Sequence, residues 1–218
     1  MLKRAFSVAE LLITISIIGL IAIITIPALL TYNQESQSIS GLKKGVNTLT
    51  NIAQISSSTQ GFDFYSTTSD AILEDNKAEI QNSFFGIISR NASINRDLTG
   101  PAKYVNAEDL YAIFLRDGAA IIYSPEESIS NTRSVLVGDD ETLGFTIYYD
   151  INGLKGPNLL SNCRGAKYLQ INNPNGVPPI GEACNDGNKR VIKDIFKLKA
   201  QATRVIPNEP SSVWALNK

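Results

Sequence analysis

Apolar residues are unevenly spread along the chain. From Leu11 to Leu30, twenty consecutive positions carry no charge, and Ile and Leu dominate them. Coiled as a helix that rises ~1.5 Å per residue, the run is roughly 30 Å long, the hydrocarbon thickness of a bilayer. Lys3 and Arg4 precede it with no acidic residue between them. By the positive-inside rule the N-terminus then stays in the cytoplasm and everything after Tyr32 lies outside. A removable secretory signal has an apolar stretch of only about 7–15 residues and ends at a small-residue cleavage site. This run is longer, holds Pro27 near its far end and flows into a helical pattern, which favours a retained membrane helix.

Past the span the periodicity continues. Ile39, Leu42, Val46, Leu49 and Ala53 recur at alternating steps of three and four, which puts them on one face of a helix reaching about Ser56. Gly41 and Gly45 each weaken that half by about 1 kcal/mol relative to Ala. The run Ser56-Ser57-Ser58-Thr59-Gln60-Gly61 ends the helix and opens a head. There, Ser69-Asp70 reads as the cap of a second helix over 70–89, with Ile72, Leu73, Ile80, Phe84 and Ile87 as its apolar positions. Asn106, followed by Glu108 and Asp109, predicts a third short helix over 107–115. Apolar or alternating runs at 119–123, 133–137, 143–151, 194–199 and 203–206 read as strands around the turns Asp117-Gly118 and Gly138-Asp139-Asp140. Helices first and strands later describe an α+β head, an antiparallel sheet laid on the outer half of the first helix.

Composition removes much chemistry. The 218 residues are 43% hydrophobic, enough for a packed core, and 20 basic against 21 acidic side chains leave no basic footprint for nucleic acid. There is no histidine, so Ser-His-Asp and Cys-His catalysis and His-liganded zinc are excluded. Two cysteines are too few for a four-cysteine metal site but enough for one disulfide.

Glu10 stands at the start of the apolar run. A carboxylate in hydrocarbon costs about 2.5–3.5 kcal/mol on insertion scales, so it stays at headgroup level or finds a partner. The stretch Lys3-Arg4-Ala5-Phe6-Ser7-Val8-Ala9-Glu10-Leu11-Leu12 resembles the N-terminal signal of type IV pilins and type II secretion pseudopilins. In that family a basic leader ends in a small residue, the new N-terminal residue, usually Phe, is methylated, the fifth mature residue is Glu and the twenty-second is Pro. Counted from Phe6, those two positions are Glu10 and Pro27; Ala5 stands where the family usually has Gly.

The resemblance implies cleavage between Ala5 and Phe6 and N-methylation of Phe6 by a prepilin peptidase/methyltransferase. Its pilin-like layout is a leader (1–5), a membrane helix (6–30), an amphipathic extension (31–58) and an extracytoplasmic head (59–218). Cleavage leaves an ammonium beside the membrane, and the Glu10 carboxylate of one subunit would meet the amine of its neighbour where an unpaired charge is expensive. Such a pair sets the stagger between subunits, as a buried polar residue sets register in a coiled coil. Pro27, which lacks a backbone donor, is expected to kink or locally open the helix.

Two features of the second half carry candidate chemistry. Asp150-Ile151-Asn152-Gly153, continuing to Gly156-Pro157-Asn158, puts oxygen side chains at alternate positions before a glycine, like the opening of a calcium loop, and Asp194 offers a second carboxylate. With so few carboxylates, and Lys155 beside them, the ligand count favours a glycine turn without metal and no cofactor. Cys163 and Cys184 flank an Asn-, Pro- and Gly-rich stretch, and outside the cytoplasm a disulfide between them is expected. Pilins often close a C-terminal loop in this way.

The reading is a structural subunit rather than an enzyme, anchored in the cytoplasmic membrane. Its partners are other pilin or pseudopilin subunits, the peptidase, an inner-membrane assembly platform and lipid. A pseudopilus of a type II secretion system and a type IV pilus both fit. The rival from another class is a membrane-anchored binding or hydrolase domain, with Glu126-Glu127 or Asp139-Asp140 as its acids.

Overall fold

The computed structural model describes residues 7–64, 83–101, 110–124, 144–155, 160–161 and 192–218. Ala5, Phe6, Cys163, Cys184, Ser69-Asp70, Glu126-Glu127, Asp139-Asp140 and the strand expected over 133–137 lie outside the described residues. The chain divides into two units, Met1–Gln37 and Ser38–Lys218. One helix, α1 (Val8–Gln60), contributes to both.

In the first unit α1 carries no charge from Leu11 to Leu30 and is dominated there by Ile and Leu. Its large side chains from Val8 to Leu30 are all exposed, and it is the one helix among the described residues long and apolar enough to cross a membrane. A contiguous exposed apolar surface of this size is of the kind that membrane or protein partners cover. Its hydroxyls are satisfied locally: Thr14 Oγ1 donates to Leu11 O at 2.8 Å, Ser16 Oγ to Leu12 O at 2.8 Å and Thr25 Oγ1 to Ile21 O at 3.0 Å. Each bond pairs a hydroxyl within its own helix, as a span in hydrocarbon would require. α1 is helical on both sides of Pro27. The turn around Pro27 retains a side-chain bond, Thr31 Oγ1 to Pro27 O at 2.9 Å.

In the second unit α1 buries Ile39, Leu42, Leu49, Ile52 and Ala53, close to the stripe read from periodicity, but Gly45 takes the fully buried place and Val46 is only half-buried. The helix ends at Gln60, four residues past Ser56, where Gly61 adopts φ 72°. That left-handed conformation is the usual helix stop and is cheap only for glycine. The described helix after it, α2 (Phe84–Asn91), is shorter than the 70–89 expectation. Ser83 is in extended conformation and its Oγ accepts from Gly86 N at 3.1 Å, so a new helix begins there rather than continuing an earlier one.

Among the described residues six antiparallel strands follow in simple meander order: β1 (Gly100–Pro101), β2 (Tyr111–Phe114), β3 (Ala120–Tyr123), β4 (Phe145–Asp150), β5 (Ile195–Ala200) and β6 (Val205–Pro207). A last helix, α3 (Pro210–Asn217), closes the chain. The fold is therefore α+β, with the expected antiparallel sheet. The expectation of a helix over 107–115 is overturned at Tyr111–Phe114, which pairs with β3 from Tyr111↔Tyr123 to Phe114↔Ala120. The reason is burial on both sides. One face of the sheet (Ile113, Ile121, Tyr123, Ile147, Tyr149, Phe196, Leu198) shares a core with α1 and α2. The other (Ala112, Phe114, Ala120, Ile122, Tyr148, Ile195) forms a second buried cluster with Leu160. Strands buried on both faces read as continuous apolar runs, which periodicity does not separate from a buried helix. At the centre of the main core, Phe84 meets Phe64, Tyr123 and Phe145 edge-on at centroid distances of 4.9, 4.8 and 5.0 Å.

Candidate functional site

Glu10 lies in the first turn of α1. Its Oε2 accepts from Ser7 N at 2.9 Å, and Ser7 Oγ accepts from Glu10 N at 3.4 Å. This is a capping box, in which two backbone donors that the helix start leaves unpaired are satisfied reciprocally. The Ser-x-x-Glu spacing that signals it was present in the sequence. Ser7 and Glu10 are both exposed, so the carboxylate remains accessible to a second partner.

In the head, the structure brings together Asp150, Asn152 and Asp194. The register Asp150↔Ile195 places Asp194 beside the end of β4. Asp150 Oδ1 accepts from Asn152 N and Gly153 N, both at 3.0 Å, while Asn152 Nδ2 donates to Asp194 Oδ2 at 3.1 Å. Ile151 N donates to Asp194 O at 3.0 Å. The glycine turn expected from the ligand count is thus present. Gly153, at φ 57°, is held where a Cβ would run into the carbonyl oxygen of Gly118, so that position requires glycine twice over. Asp150 is fully buried, and its oxygen organises the turn much as a cap organises a helix start. Asp150→Ala leaves two N–H groups without their acceptor and should destabilise the protein by about 1–3 kcal/mol, read as a lower midpoint in urea unfolding.

Among the described residues no three His, Cys, Asp or Glu side chains gather as metal ligands. Asn152 Oδ1 is nevertheless buried and has no hydrogen-bond partner among the described residues. It is the one feature of this corner that the turn does not explain.

Beside the turn, Lys44 Nζ of α1 meets Asp117 Oδ2 of the β2–β3 turn at 2.6 Å. Partial burial acts to raise the Asp117 pKa, but the Lys44 ammonium and the Ala119 N–H outweigh it and hold the carboxyl below its ordinary value. A lowered carboxylate pKa stabilises the fold above the unfolded-state value and is lost as the pH falls through the folded one. With side-chain exposures of 63% and 36%, solvent screens this pair. Asp117→Asn should cost less than about 1 kcal/mol at neutral pH, shrinking with salt and vanishing in thermal melts once the pH falls through the lowered pKa of Asp117. The neighbouring Tyr149 hydroxyl is pushed far above its ordinary range by burial, then by the Asp117 and Asp150 charges, and stays protonated.

Periodicity and motifs missed three contacts: the Ser7–Glu10 box, the seat of Tyr149 over Gly45, and α3 with its leading Glu209. The last had a signal in Glu209-Pro210-Ser211-Ser212, since proline favours the first helical turn. Comparison with family models, with curated proteins and with solved structures finds no match.

Proposed function

We propose that the chain is a structural subunit of a filament assembled from the membrane, its apolar helix covered by lipid before assembly and by sister helices afterwards. Within that class, we assign it to the pseudopilins of type II secretion systems; a type IV pilus subunit is the alternative that the same residues admit. The observation carrying the reading is an accessible carboxylate, Glu10, in the first turn of an otherwise uncovered apolar helix. It stands in register with Phe6 behind it and Pro27 ahead. A simple anchor uses that acid only to cap its own helix start, whereas a subunit whose mature amine pairs with a neighbour's Glu10 also needs it between chains. Contacts of this head-to-tail kind propagate as open helical assemblies.

The topology that follows is a cytoplasmic N-terminus and an extracytoplasmic head. The partners are sister subunits, a prepilin peptidase/methyltransferase and an inner-membrane assembly platform, with no part for nucleic acid. N-terminal sequencing and mass spectrometry of the membrane-extracted protein test the reading. A mature chain beginning at N-methylated Phe6 supports it; a chain beginning at Met1 in cells that contain the peptidase overturns it.

For the head corner the unpartnered Asn152 Oδ1 favours a second reading beside the simple turn. There Asp150, Asn152 and Asp194 would contribute oxygens to a calcium ion, which takes six to eight. Such an ion would tie the end of β4 to the start of β5. Calorimetry with calcium, together with melting in calcium and in chelator, decides: no heat and no shift remove the ion.

A further inference from the structure

The sheet ends at two short strands, β1 and β6, and neither offers a main-chain donor to its outer side. In an antiparallel ladder successive residues turn their main-chain groups to opposite neighbours. On β5, Lys197 faces the β6 side: its carbonyl accepts from Asn208 N at 3.2 Å, and its N–H donates to Glu209 Oε1 at 3.1 Å just past the end of β6. Lys199 faces the same way and stands opposite Ile206, so Val205 and Pro207 turn outward. Val205 N donates to Thr50 Oγ1 of α1 at 3.2 Å, and Pro207 has no N–H.

The far edge repeats the arrangement. On β2, Phe114 faces away from β3: its N–H donates to Thr99 Oγ1 at 3.0 Å, and its carbonyl accepts from Asn95 N at 2.7 Å. Ala112 faces the same way and stands opposite Gly100, which leaves Thr99 and Pro101 turned outward. Thr99 N donates to Asn95 O at 3.1 Å, and Pro101 again lacks the group. Among the described residues no strand lies beyond β1 or β6. At both edges one outward donor is taken within the chain and the other is deleted by proline.

We propose that the sheet is closed to strand addition by a second copy of this chain, with Pro207 and Thr50 guarding one edge and Pro101 and the Asn95 carbonyl the other. Open strand edges join sheet to sheet, and natural sheets blunt them with short edge strands and proline. Two copies of either edge brought together here would set carbonyl against carbonyl with no hydrogen between them. Neighbouring heads therefore meet through side chains. On the filament reading, which this inference extends and does not need, assembly holds many heads side by side, where an open edge would compete with the helix contacts.

Thr50→Val/Pro207→Val frees one outward donor of β6 and creates the other. Pairing of that edge with its own copy is two-fold and closed, so the product is a dimer. In sedimentation of the full chain in detergent micelles, the double variant is expected to approach about twice the wild-type protein mass per particle, self-associating roughly tenfold more tightly or better. Association through the apolar helix is common to all the proteins compared, so the difference isolates the edge. Hydrogen exchange gives a second readout: in the double variant the amides at positions 205 and 207 should gain protection as protein concentration rises. Pro207→Val alone, which leaves the Thr50 contact intact, should fall between wild type and double variant, and it decides the matter if the double variant does not melt cooperatively. Folded variants that keep the wild-type mass, with those amides exchanging alike at every concentration, overturn the proposal.

Discussion

Gly45→Leu should lower the melting temperature of the head by about 10 °C, even though leucine is the far better helix former. The ring of Tyr149, on β4, lies directly over Gly45 on α1; even a Cβ at residue 45 would overlap Cε1 and Cζ of that ring. Tyr149 is 2% exposed and inside the main core, so the ring has nowhere to swing. One turn earlier, Gly41 faces the side chain of Ile151, with its nearest atom 3.0 Å from an added Cβ. Two glycines four apart let the sheet approach the helix backbone, and a side chain must push them apart or force an off-rotamer tyrosine. Overpacking of this sort costs about 1–3 kcal/mol, and for a branched four-carbon side chain the upper end applies.

Gly45→Ala should show a smaller loss, because a gain of about 1 kcal/mol in propensity offsets part of the clash. The measurement is a thermal melt of both variants beside Gly45→Leu/Tyr149→Ala, where removing the ring should recover part of the loss through the coupling that contact implies. Gly19 supplies the control, since an added Cβ there meets nothing within 4 Å. If Gly45→Leu melts like the wild type, the close approach does not exist in solution.

Glu10→Ala should reduce filament assembly on the order of tenfold or more, while Ser7→Ala should leave it nearly unchanged. The comparison matters because the acid does two things in one place. Within its own chain it caps α1, a local service worth ~1 kcal/mol to a helix start. Between chains, on the filament reading, it meets a neighbour's mature amine in a medium of low dielectric. Stranding either charge there costs several kcal/mol, and every 1.4 kcal/mol is tenfold in an association constant (roughly). If capping were its whole purpose, Ser7→Ala and Glu10→Ala would be equivalent, since each removes half of the same box. Quantifying sheared filaments, or secretion through them, at matched membrane levels separates the two. Equal and small losses would reduce Glu10 to a cap and remove the main support for the filament reading.

How much was legible depended on which physical signal each element left in the chain. The membrane-length helix is local: its length and lack of charge follow from composition over one window, and α1 has both. The strands at 120–123, 145–150, 195–200 and 205–207 lay within two residues of where alternation or turn chemistry put them. Tyr111–Phe114 did not, because Leu110-Tyr111-Ala112-Ile113-Phe114-Leu115 is apolar at every position and has no period to read. Only the partner strand Ala120–Tyr123 decides that it extends rather than coils.

The oxygen-rich turn was visible as Asp150-x-Asn152-Gly153, but that its carboxylate serves two backbone donors is a matter of three-dimensional approach. Gly45 looked like a weakness in a helix and proves to be the seat of a tyrosine more than one hundred positions away in the chain.

By itself, then, the sequence determined what depends on neighbours a few residues apart: an apolar span of bilayer length, an acid at its threshold, an amphipathic stripe and the turn glycines. The tertiary structure decided what depends on distant segments meeting: which apolar runs became strands, why a helix needs glycine where alanine would suit it better, and how Glu209 comes to cap the edge of β5. Local choices are made by bonds along the chain, whereas burial and close approach belong to the folded whole.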